Sequence, residues 1–136
     1  MAFRKIYLIS FILLLFMENG VTNAFATHIS QPILVDPKTH YTVGDTIILH
    51  GWVEYNAQPA PDVLLNFKLT HSDSDEAPVA DQSYPSDQKG RFEFKFDTTN
   101  EAPGAYLFTI TSHCLEIHRY ACTYKNQTLS IQLSNP

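Results

Sequence analysis

A period of two runs through most of the chain. Ile47, Leu49, Gly51, Val53 and Tyr55 alternate with Ile48, His50, Trp52 and Glu54. Val63, Leu65, Phe67 and Leu69 alternate with Leu64, Asn66 and Lys68, and Phe92, Phe94 and Phe96 with Arg91, Glu93 and Lys95. Tyr106, Phe108 and Ile110, then Leu129, Ile131 and Leu133, repeat the pattern. Alternation of this kind predicts strands with one face buried and one in water. Weaker strands are predicted at Ile33–Val35 and Val79–Tyr84. Turn residues fall between the runs: Gly44-Asp45, then Pro59, Pro61 and Asp62, then Ser86 to Gly90, then Ala102-Pro103-Gly104. About seven short strands with turn signals between them is the pattern of an all-β sandwich. The acidic, apolar-poor stretch His71 to Pro78 is expected to be its least ordered part.

The first residues follow a different rule. Arg4 and Lys5 precede an uncharged run, Ile6 to Met17, and Ala24 and Ala26 form an A-x-A site before Thr27. These are the three parts of a secretory signal peptide. A membrane span needs about 20 apolar residues, so the run suits a cleavable signal better than an uncleaved anchor. The expected organisation is a signal peptide over 1–26 and one sandwich domain over 27–136, secreted or periplasmic, with Ala24 an alternative last residue of the signal. No later segment is apolar enough to span a membrane. Removing residues 1–26 takes Arg4, Lys5 and Glu18 from nine basic and 14 acidic residues, leaving a formal charge of −6. That balance argues against nucleic acid or an anionic membrane as partner, since both demand a basic face. About 110 residues suffice for one core.

Several motifs resemble known families. Tyr41-x-x-Gly44-Asp45-Thr46-Ile47-x-x-x-Gly51-x-Val53 resembles the opening of bacterial immunoglobulin-like and macroglobulin-like domains. Pro61-Asp62-Val63, Ser86-Asp87-x-x-Gly90-x-Phe92 and Pro103-Gly104-x-Tyr106 resemble the same group and the carboxypeptidase regulatory-like (transthyretin-like) domains. The resemblance covers roughly Tyr41 to Thr111. It implies a single immunoglobulin-like sandwich serving as a structural, adhesive or binding module, and it carries no catalytic residue with it. Its motif residues belong to the scaffold: glycines where turns need positive φ, and a tyrosine after Pro-Gly whose hydroxyl returns to nearby backbone.

Cys114 and Cys122 lie outside that resemblance. An even cysteine count in an exported chain reads as a disulfide. The bridge would close the loop LEIHRYA between two antiparallel strands and contribute about 2.5 kcal/mol in the loop-entropy model. The alternative is a pair of metal-binding thiolates, for which C-x7-C is an unusual spacing. His113, Glu116 and His118 on the same loop raise a metal-binding or pH-sensitive knot, against a polar, solvated loop. His28, second in the chain after cleavage before Thr27, raises weak Cu(II) chelation. Asp73, Asp75 and Glu76 do not continue an EF-hand pattern and read as a solvated acidic loop. Asn126-Gln127-Thr128 is a glycosylation sequon if the chain passes through a eukaryotic secretory pathway.

Sandwiches often bury a tryptophan, and both faces of the strand around Trp52 are apolar at its start. Trp52 is therefore expected in the core; facing solvent, it would be a candidate anchor for a partner. There is no G-x-S-x-G nucleophile motif, and no cofactor or enzymatic activity is expected. The expected function is an exported non-enzymatic binding or interaction module with a protein or surface-glycan partner. Its alternatives are an exported copper- or zinc-binding protein using histidines, and a structural accessory subunit of a cell-surface assembly.

Overall fold

The computed structural model describes residues 27–136. The expected signal peptide and its cleavage sites therefore lie outside the described residues. Ten strands follow in chain order: β1 His28–Leu34, β2 His40–Thr42, β3 Thr46–Tyr55, β4 Gln58–Pro59, β5 Leu64–His71, β6 Ala80–Pro85, β7 Arg91–Asp97, β8 Gly104–Ser112, β9 Cys122–Tyr124 and β10 Asn126–Ser134. One 3-10 turn, Glu116–His118, lies between β8 and β9. No helix among the described residues is long and apolar enough to cross a membrane.

The strands form two sheets. In the first, β9 pairs with β1 and β1 with β3, while the other edge of β3 pairs with β7 along Thr46–Trp52 and with β4 at Glu54–Tyr55. The second has the order β2-β10-β8-β5-β6. The fold is an all-β sandwich, as the alternation predicts, and immunoglobulin-like, as the resemblance implies. The three strands that the periodicity does not reveal, β2, β4 and β9, are two or three residues long. That is too short for a period of two to be recognised.

The inward positions build one aromatic core. Val53, Leu65, Phe67, Phe94, Phe108 and Ile110 are fully buried. Phe67 sits at the centre, its ring centroid 4.6 Å from Tyr84, 5.5 Å from Phe92, 5.7 Å from Phe94 and 6.3 Å from Phe108. Spacings of this size are those at which offset and tilted ring pairs are favourable. The Tyr106 hydroxyl donates to the Ala102 carbonyl at 2.5 Å, the return to backbone expected of the tyrosine after Pro-Gly. In the β6–β7 turn, Asp87 Oδ1 accepts from the backbone N–H groups of Lys89 and Arg91, both at 2.8 Å. Those bonds hold the Asp87 carboxyl below the usual carboxylate range. Gly90, at φ +77°, closes the turn and sets the register of β7.

Trp52 corrects the expectation for its strand. Ile47, Leu49, Gly51, Val53 and Tyr55 face the core, and Trp52 stands half-buried on the outer face of the sheet. The physical reason is Gly51. The Phe92 ring fills the space above it, with Cζ only 2.9 Å from where a Cβ would stand. The glycine thus marks the inner face, although it makes that face look less apolar.

Candidate functional site

The 13 residues between β8 and β10 hold a 3-10 turn, the strand β9 and both cysteines. β8 and β10 are antiparallel neighbours from Asn126↔Thr111 to Leu133↔Gly104. Their connection does not stay in their sheet. Cys114 follows β8, whereas Cys122 opens β9, which pairs in parallel with β1 of the opposite sheet through His28↔Cys122, Ile29↔Thr123 and Ser30↔Tyr124. The Cys114–Cys122 disulfide, with Cα atoms 6.0 Å apart, therefore joins a strand exit of one sheet to a strand of the other. A plain hairpin mouth would have kept both cysteines in one sheet. Ser30, fully buried, adds a second tie between the sheets. Its hydroxyl lies 3.0 Å from Ser112 Oγ and donates to the His113 carbonyl at 2.9 Å.

Leu115 and Cys122 pack against the core and close this end of the sandwich. Over them the chain turns through Glu116–His118, and its remaining side chains divide by role. His118 points back toward the domain. Its ring stacks on His28 of β1 at 3.6 Å between centroids and 12° between planes, and Tyr55 of β3 lies 5.5 Å away. The Tyr55 hydroxyl is 2.6 Å from His118 Nδ1 and 3.6 Å from Cys122 Sγ. Ile117 and Tyr120 point outward and are 84% and 90% exposed, and Tyr124 beyond them is 56% exposed. The Arg119 guanidinium lies 4.7 Å from the centre of the Tyr120 ring and donates to Glu116 Oε1 at 2.9 Å.

The opposite wall of the His28 contact comes from the β3–β4 turn. Tyr55 pairs with Gln58 across two residues, Asn56 and Ala57, at φ 52° and 63°. Positive φ at both positions is the type I′ geometry that suits the twist of a hairpin. Asn56 projects its side chain across β1, accepting from the Ile29 N–H at 2.9 Å through Oδ1 and meeting His28 Nδ1 through Nδ2.

The residues expected to carry chemistry are thus redistributed. His113, Glu116 and His118 do not converge: His113 packs near Tyr124, Glu116 holds Arg119, and His118 stacks on His28. No group of three or more His, Cys, Asp or Glu side chains is arranged to hold a metal ion among the described residues. The two atoms of His28 that amino-terminal chelation would use are engaged, the amide nitrogen by the Ala121 carbonyl and Nδ1 by Asn56. Asp73, Asp75 and Glu76 are exposed in the β5–β6 loop. Asn126 is exposed at the start of β10, opposite Thr111. Trp52 lies between Ile33 of β1 and Arg91 of β7. A surface depression of about 490 Å³ lies beside this outer face and is lined by His50, Tyr84, Arg91 and Glu93 among others. It is well apart from the disulfide.

Sequence reasoning passed over Tyr55, Asn56, Ile117 and Tyr120. Tyr55 reads simply as the last core residue of an alternating strand. For Ile117 and Tyr120 a signal existed: three large apolar residues, Leu115, Ile117 and Tyr120, crowd a nine-residue cystine loop whose neighbours are polar.

No protein-family model matches the sequence, and no curated protein matches it. Among solved structures the chain is similar to the crystal structure of a CARDB domain from Pyrococcus furiosus, described as in complex with di-metal ions. The two share 12% identity at a TM-score of 0.47, over 85% of this chain and all of that one.

Proposed function

We propose that this chain is an exported, non-enzymatic binding module of immunoglobulin-like fold whose contacting element is the cystine-closed segment 113–122. The carrying observation is the near-complete exposure of Ile117 and Tyr120 on a backbone fastened at both ends. Large apolar side chains held out in water cost free energy unless something covers them. Here the disulfide, the β1–β9 ladder and the His118 stack have already fixed the backbone, so little further ordering is needed on contact. Tyrosine and arginine, adjacent at the tip as Arg119-Tyr120, are the residue types that most often dominate binding energy. Export is supported by the N-terminal signal pattern and by a disulfide that ties the two sheets together. The half-buried Trp52 and the exposed Ile48 stand on the outer face of the first sheet and offer a second surface.

The test is recovery of a partner from the native exported fraction by the intact protein. The double substitution Ile117→Ser, Tyr120→Ser should weaken that recovery by at least about tenfold, whereas Ile48→Ser should leave it unchanged. Undiminished recovery by the loop variant would overturn the assignment.

A further inference from the structure

The His28–His118 stack carries an inference about how the cystine-closed end is controlled, and its consequence for binding rests on the reading just given. Hydrogen bonding fixes the protonation that each ring accepts. Asn56 Oδ1 accepts from the Ile29 amide, so the side-chain amide has only one orientation and presents its NH2 group to His28 Nδ1, 2.5 Å away. An NH2 group only donates. In this arrangement His28 Nδ1 faces a donor and can only offer it a lone pair. A proton added to Nδ1 would set donor against donor.

His118 is different. Its Nδ1 faces a hydroxyl, which both donates and accepts. If His118 takes a proton, Nδ1–H donates to the Tyr55 oxygen, and the hydroxyl hydrogen turns to Cys122 Sγ, 3.6 Å away. One ring of the pair tolerates a proton and the other does not. With both protonated, two cationic rings would stand face to face at 3.6 Å, and His28 would lose Asn56 as well.

The other charged groups at this end do not offset that. Glu116 on the loop is held by Arg119. His113 lies against Tyr124, and Glu54 of β3 and Lys125 after β9, opposite in sign, line one depression together with Asn56. Cys122 is oxidised and carries no charge.

We propose that the stacked pair is an acid-sensitive latch, holding the cystine-closed segment against β1 and β3 while at most one ring is protonated and releasing it when both are. His28 N–H donates to the Ala121 carbonyl and Lys125 N–H to the Ser30 carbonyl, so release would loosen the β1–β9 ladder as well as the tip.

Amide hydrogen exchange on the intact protein tests this. Rates would be compared at pH about 7.5 and about 5, spanning the range in which imidazoles ordinarily titrate, after correction for the intrinsic pH dependence of exchange. The amides of His28, His118 and Lys125 should lose protection by at least about tenfold at the lower pH, while those of the β5–β8 ladder keep theirs. Asn56→Asp is the decisive variant. It keeps an acceptor for the Ile29 amide, gives a protonated His28 a carboxylate to donate to, and sets a negative charge against the two cationic rings, so that double protonation no longer opens the latch and protection at the lower pH should be retained or increased. His28→Phe, which stacks without titrating, should abolish the change. Equal protection of the wild type at both pH values would overturn the latch, and so would Asn56→Asp opening like the wild type. No partner enters the measurement, so the latch and the binding assignment fail separately.

Discussion

Gly51 of β3 lies so close to Ile33 of β1 that a Cβ placed on it would fall 1.8 Å from the Ile33 carbonyl oxygen. That atom is backbone, fixed by the ladder that pairs Gly51 with Leu34 and Trp52 with Ile33. The Phe92 ring closes the same space from inside. A methyl group cannot be accommodated by a rotamer change, and one of the two strands has to move. Gly51→Ala should cost about 3 kcal/mol, the upper end of overpacking costs, and lower the melting temperature by more than about 10 °C. A thermal midpoint within 2 °C of the wild type, on the order of half a kcal/mol or less, would show that the strands are not so closely spaced.

Ala57 makes the opposite prediction. At φ 63° it occupies a left-handed conformation that costs an L-residue about 1–2 kcal/mol and glycine almost nothing. Ala57→Gly would complete an Asn-Gly type I′ turn and should stabilise the domain by about 0.5–1 kcal/mol in urea titration. A lower urea midpoint for the variant would contradict the turn assignment.

Tyr84 predicts an alkaline limb of the stability curve. Its hydroxyl donates to the Glu93 carbonyl, and burial, with the Glu93 carboxylate adding to it, pushes the phenol up to about 12. The unfolded phenol titrates near 10. The folded state therefore holds the proton more tightly. This contribution is complete below pH about 10 and is lost as pH rises toward about 12. Tyr84→Phe should flatten that limb, leaving the smaller part due to Tyr41 and Tyr106, whose hydroxyls burial also raises. An unchanged slope in the variant, measured by denaturant midpoint against pH, would remove Tyr84 as the cause.

The sandwich was legible in the sequence because its evidence is local. The inward sets Val63-Leu65-Phe67-Leu69 and Tyr106-Phe108-Ile110 show as alternation within a few residues. The disulfide was legible from an even cysteine count beside a signal-like N-terminus. Which sheets it joins was not, since a period of two says nothing about where β9 pairs. His28 and His118 meet across 90 positions of chain, through a three-residue strand that carries no periodicity of its own. Asn56 escaped notice because its turn lacks the following glycine that marks a type I′ hairpin. The outward position of Trp52 is not legible for the converse reason. A glycine on the inner face weakened the inner pattern, although that glycine is what the core requires.

Cys114→Ser, Cys122→Ser should separate the two ends of the domain. The loop-entropy contribution of the bridge is about 2.5 kcal/mol, and its removal also unfastens β9 from the exit of β8. The amides of β9 and of the first residues of β1 should exchange at least about tenfold faster, with the Phe67 core still folded. Uniform acceleration across both sheets would mean that the bridge stabilises the whole domain and does not specifically order this end.

Site-specific photo-crosslinking in the native compartment tests the binding assignment most directly. A photoreactive residue is introduced singly in place of Ile117, Tyr120, Ile48 or Asn100, the last lying at the opposite end of the sandwich beyond β7. The predicted result is one discrete adduct of the same mass from the Ile117 and Tyr120 positions, absent from Asn100 and Ile48, and lost when the disulfide is removed. Adducts from Ile48 or Asn100 with none from the cystine-closed segment would contradict the account and move the contact surface to another face of the sandwich.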